Sequence, residues 1–203
     1  MAILTAILMS GYPETSTRIT LANNTHSLAL LVREAQIRGS AIDSGNITLN
    51  SESPIGGYGV FIQLSTPNKL ILFKDVIDSN VPKPYGLSIG NGLYENGNPI
   101  DETKSITTLS KSFTIYKLCV GNGFPFTCNS ANTPVINSLT ISFTRPDPEP
   151  HIYINNNSGV NYSAACIELR SPYAPRSGHI RSVQVFNSGM IRTQIGKCDN
   201  SSS

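Results

Sequence analysis

Cys119, Cys128, Cys166 and Cys198 are the residues of this chain with the most chemistry open to them. Thiols ligate zinc at CxxC or short Cys/His spacings, or pair as disulfides in an oxidising compartment. Neither metal spacing occurs here. Disulfides are therefore the expected use. Cys119 and Cys128 flank the short loop VGNGFPFT, which a bridge would close, and Cys166 with Cys198 could tie down the C-terminal end. On a loop-closure model the shorter bridge would contribute roughly 2–3 kcal/mol.

His26, His151 and His179 are far apart and none stands in an HExxH spacing. No GxSxG elbow, GxxxxGK[ST] phosphate loop or GxGxxG turn is present. No catalytic residue is expected, and the chain is not expected to be an enzyme. The long irregular stretch 75–102 carries the oxygen donors Asp75, Asp78, Asn80, Asn91, Glu95, Asn98, Asp101 and Glu102. Calcium needs six to eight oxygens at close spacing. Here VPKPYGLSIG divides the donors and Lys83 places a cation among them, so a solvated loop is expected and no metal or other cofactor. Asn-x-Ser/Thr triplets at Asn23, Asn46, Asn156, Asn161 and Asn200 are what chance supplies in a chain this rich in those residues.

A third group is basic. From Cys166 onward the charges are Glu168, Arg170, Arg176, Arg181, Arg192, Lys197 and Asp199, a net +3 in a chain whose total is +2. Arg170, Arg176, Arg181, Arg192 and Lys197 could follow a phosphate backbone through charge and counterion release, with little preference for sequence. Charges that keep edge strands soluble would look the same.

Few elements are needed to carry these groups. The charged fraction is low, 14%, and Ser, Thr, Asn and Gly are abundant, as in strand- and turn-rich secreted or surface proteins. In residues 16–39 Leu21, Thr25, Leu28, Val32 and Ala35 share one face at helical spacing, widened by Ala22, Ala29 and Leu31. Ile19, Leu30 and Ile37 line the opposite side, and Gly39 is placed to end the helix. Residues 1–9 are apolar apart from Thr5, too short to cross a bilayer, and broken from the helix by Gly11 and Pro13. They read as the second half of a longer apolar helix. Residues 58–64 and 69–74 alternate as a hairpin; 106–109 and 113–118 read as a second; 136–144 and 152–154 are further strands. Residues 164–170, 179–186 and 190–195 form a closing meander. Leu21, Leu28, Leu31, Val32 and Ala35 should pack on this sheet. The expectation is an α+β fold with a long N-terminal helix over residues 1–39 on an antiparallel β domain over 40–203.

An apolar helix running through a Gly/Pro break into an amphipathic one, then a strand-rich remainder, resembles type IV pilins and type II secretion pseudopilins. The segments LALLVREAQIRG, GGYGVFIQL, LILFKD, LTISFTRPDPEP and RSVQVFNSGMIRTQ resemble the H-type pseudopilin and minor-pilin branch in order and spacing. The family's processing motif, a Gly followed by Phe-Thr-Leu and a Glu, is absent and would lie ahead of Met1. The resemblance implies a structural subunit at the cell surface or facing the periplasm, held in the membrane before assembly. Its partners would be copies of itself or other pilins in a helical filament, and an inner-membrane assembly platform. Ile3, Leu4, Ile7, Leu8, Leu30 and Ile37 would form the filament and membrane face of the helix. The alternative it implies is a minor pilin whose basic C-terminal face binds DNA.

Overall fold

The computed structural model describes residues 2–40, 55–76, 90–96, 101–110, 112–129, 135–144, 149–174, 176 and 178–198, with the side chains of the helix described from Pro13 onward. Among the described residues, a single helix, α1 (Ala2–Ser40), is followed by ten strands. They are β1 (Ile55–Gln63), β2 (Lys69–Val76), β3 (Thr103–Thr108), β4 (Thr114–Gly121), β5 (Thr127–Cys128), β6 (Ser138–Thr144), β7 (Pro150–Ile154), β8 (Ala164–Arg170), β9 (Ile180–Phe186) and β10 (Ile191–Ile195). Two five-stranded antiparallel sheets result, ordered β3-β2-β1-β6-β7 and β10-β9-β8-β4-β5.

This overturns the expected α+β arrangement of a long helix laid on one sheet. The fold is mostly β, and its core lies between two sheets. Val60, Ile62, Leu70, Leu72, Leu139 and Ile141 of the first sheet share one buried cluster with Leu118, Ile167, Leu169, Val183 and Val185 of the second. α1 packs mainly against β1, β6, β9 and β10, so it bridges the two sheets. The point where the sequence reading goes astray is the supposed hairpin of 106–109 with 113–118. β3 pairs with β2, and β4 pairs with β8. The chain changes sheets between Leu109 and Phe113, both buried in the shared core. The hairpin of β1 with β2 and the meander of β8, β9 and β10 form as expected.

α1 buries the face read from its spacing. Leu21, Leu28, Val32 and Ala35 are fully buried and Leu31 nearly so. Each Leu or Val taken out of water there contributes about 2 kcal/mol. Thr25 is buried among them, its hydroxyl donating to the Leu21 carbonyl at 2.7 Å, so the polar atom is satisfied within the helix. Pro13 lies inside the helix rather than interrupting it. Gly39 is needed for contact more than for termination: a Cβ there would collide with the Phe143 carbonyl and side chain of β6.

Both disulfides form, Cys119–Cys128 and Cys166–Cys198. The first ties the two-residue strand β5 to β4, where Cys119 and Cys128 are register partners. The second brings Cys198 over the outer face of the second sheet. Among the described residues, no helix is long and apolar enough to cross a membrane.

Candidate functional site

A charged clamp fixes α1 at Glu14 and Arg18 to the β8–β9 connection. Glu14 Oε1 accepts from Arg18 at 2.8 Å and lies 3.2 Å from His179 Nε2; its Oε2 is 3.5 Å from Arg176. His179 is fully buried, and its Nδ1 is 2.7 Å from the Ser171 hydroxyl. Nε2 also meets Arg18 Nε at 3.1 Å, so it sits between a donor and an acceptor and its tautomer decides which contact is the hydrogen bond. The His179 contact, then that of Arg18, holds the Glu14 carboxyl below the usual glutamate range. A serine, a histidine and a glutamate thus stand in sequence of contact. Ser171 is buried and also accepts the Tyr173 amide at 3.3 Å, so its hydroxyl is engaged within the protein. The group positions a helix. Nothing local could have revealed it, since Glu14 and His179 are 165 residues apart.

With α1 oriented this way, its outer side carries Ile19, Leu30 and Ile37 at 58%, 54% and 61% exposure. At the helical repeat they fall in one line opposite Leu28 and Val32, spread over about 27 Å of axis. Asn23, His26 and Arg33 flank them and are also exposed. Near the helix end Gln36 donates to the Gly189 carbonyl at 3.2 Å, which sets the β9–β10 turn and its exposed Met190 beside this face. Ile3, Leu4, Ile7 and Leu8 belong to the helical backbone, but their side chains lie outside the described residues.

The five basic residues are not gathered on one surface. Arg181 is half-buried and pairs in register with Leu169, whose side is the core. Arg192 stands on the edge strand in the row of Gln184, Cys166 and Cys119, and Lys197 follows β10. Arg170 and Arg176 each meet an aromatic ring, a different one in each case. A bulge in β4 at Tyr116 turns that ring outward, and the Arg170 guanidinium lies over it, 4.1 Å from the centroid. Lys117 reaches the same ring at 5.9 Å, and Arg176 lies 5.8 Å from the ring of Tyr173. The bulge was legible in principle, because the inward residues Ile115, Leu118 and Val120 break strict alternation.

Among its described residues, the oxygen-rich stretch turns side-chain oxygens onto nearby backbone amides. Residues 90–96 lie over the outer face of the first sheet, where Tyr94 packs on Phe61 and Phe73 with centroids 4.8 and 5.6 Å away. Asp75 is fully buried beneath them and accepts the Gly92 amide at 2.9 Å. Asn91 Oδ1 accepts from Leu93 N, Asp101 Oδ1 from Thr103 N, and Glu102 Oε2 from Glu95 N. Asp78, Asn80 and Asn98 lie outside the described residues. Burial, reinforced by the charge of Glu95, pushes the Asp75 carboxyl up to about 6. Against this background, no protein-family model, no curated protein and no solved structure matches the chain.

Proposed function

We propose that this chain is a structural subunit that polymerises through its N-terminal helix, in the manner of the pilin and pseudopilin subunits its sequence resembles. The observation that carries the reading is the line of Ile19, Leu30 and Ile37, exposed on a helix whose opposite face is buried in the core from Leu21 to Ala35. Each such residue buried against a neighbouring copy removes apolar surface from water. Residues 2–13 continue the same helix for about 18 Å ahead of the Glu14 clamp, and their apolar composition suits a filament interior. The β domain then forms the outside of the assembly. Sedimentation over a concentration series tests this. The chain should associate, and the double variant Leu30→Asp with Ile37→Asp should stay monomeric with an unchanged unfolding midpoint. A variant that associates like the parent chain overturns the reading.

The Arg170–Tyr116 stack favours a second reading, a surface that holds a nucleic-acid strand. Base stacking on exposed aromatics combined with phosphate contacts gives binding with little sequence preference. Gel shifts with single-stranded DNA should show affinity falling steeply with salt. Tyr116→Ala and Arg170→Ala should each weaken binding about tenfold, a loss of the size of one stacked base. Absence of a shift at low salt ends this reading.

A further inference from the structure

All four half-cystines lie together on the outer face of the second sheet. Cys128, Cys119 and Cys166 are register partners across β5, β4 and β8, and the bridge brings Cys198 over the same row. Glu168 is two residues along β8 from Cys166, on the same side, fully buried, and its Oε1 accepts the Cys198 amide at 2.8 Å. The sulfurs of Cys119 and Cys198 and a carboxylate oxygen of Glu168 all lie within 4.8 Å of one another. Those two cysteines belong to different disulfides.

We propose that, once both disulfides are reduced, Cys119, Cys166, Cys198 and Glu168 form a tetrahedral site for zinc. Zinc takes sulfur at about 2.3 Å and carboxylate oxygen at about 2.1 Å, which sets tetrahedral ligand atoms a little under 4 Å apart. Cys119, Cys198 and Glu168 need to draw in by less than about 1 Å to reach that spacing, and the Cys166 sulfur, released from Cys198 on reduction, has to swing away from it to take the fourth position. Its positions do not depend on the bridges. Cys119 and Cys166 are held by the β4–β8 ladder. Cys198 is held by its amide on Glu168 and by the neighbouring bond from Gly196 N to the Ile180 carbonyl at 2.9 Å. Lys117, the register partner of Glu168, supplies positive charge beside a site carrying three thiolates and a carboxylate. Cys128, on the edge strand and partly exposed, is the point at which a reductant reaches the Cys119–Cys128 bridge. Each bridge takes two electrons and two protons from a dithiol, which closes to its own cyclic disulfide. Zinc binding then releases the three thiol protons, while the ionised carboxylate releases none.

The full chain, reduced with dithiothreitol and freed of it by gel filtration under nitrogen, should be titrated with Co(II) and then with Zn(II). One metal per chain is expected, with the thiolate-to-cobalt charge-transfer bands of a sulfur-rich tetrahedral site, displaced by zinc. The metal should raise the urea midpoint of the reduced chain, or restore its far-ultraviolet circular dichroism if reduction alone unfolds it. The oxidised chain should bind none. Cys119→Ser and Cys198→Ser should weaken binding by well over about tenfold, the scale of an outer-shell loss, whereas Cys128→Ser should bind as the parent does. Three results would overturn the proposal: no charge-transfer bands, metal uptake with no gain in midpoint or structure, or Cys128→Ser losing as much affinity as Cys119→Ser.

Discussion

Leu28→Ala should lower the unfolding free energy by about 3–4 kcal/mol, while Leu30→Ala, two residues further along the same helix, changes it by less than about 0.5 kcal/mol. Leu28 is fully buried where α1 meets both sheets, and Leu30 is 54% exposed. Truncating the first leaves a void that neither sheet can close without breaking its ladder, so a cavity cost adds to the lost transfer energy. In a chain of this length the difference is a drop of about 10 °C in melting temperature for one variant and almost none for the other. Thermal melts at a concentration too low for association separate them. Equal effects at the two positions would mean that the inner and outer faces of the helix are wrongly assigned.

The second large effect is in the pH dependence of stability, and it runs against the usual direction for an aspartate. Burial first, with the Glu95 charge behind it, raises the Asp75 carboxyl from 3.8 to about 6, and the amides of Gly92 and Asn91 only partly offset this. The folded chain therefore holds that proton more strongly than the unfolded chain does. The resulting stabilisation is complete below about pH 4, declines as the pH rises to about 6, and is gone above it; the whole span is about 3 kcal/mol. Glu14 and Asp101 are shifted the other way, so the parent curve mixes signs. The difference between parent and Asp75→Asn isolates the term. An asparagine oxygen can still accept the Gly92 amide, and the variant should gain about 1–3 kcal/mol relative to the parent between pH 4 and pH 7. Urea midpoints measured across that range check it, and parallel curves would show that Asp75 titrates as an ordinary carboxylate.

The helix face was readable because its repeat persists for about four turns, long enough for Leu21, Leu28, Val32 and Ala35 to fall in line. β1 and β2 were readable for the corresponding reason at period two. The division of strands between sheets was not. An inward-facing Leu70 and an inward-facing Leu118 give the same alternation whichever sheet they join. Only the contacts of Leu109 and Phe113 show where the chain crosses over. β5 was missed because two residues carry no periodicity, and its pairing coincides with a disulfide. Asp75 reads in sequence as one more acid in a polar stretch. Its burial depends on Gly90 and Gly92, where a side chain would run into its carboxylate at the first and into Ser142 and Tyr153 at the second. The basic residues were visible as a count, but their surface depended on a strand bulge and on rings contributed by other segments.

The order in which the chain is made gives the bridging position of α1 one further meaning. α1 emerges before all ten described strands, whereas β9 and β10, two of the four strands it mainly rests on, emerge after the other eight. Throughout most of synthesis Leu28 and Val32 are therefore without half their eventual cover, and a ribosome halted before residue 180 displays a greasy, sticky rod. Whatever shelters that rod in the cell, chaperone or lipid, has to keep hold until the hairpin of β9 and β10 is released and then give way to it.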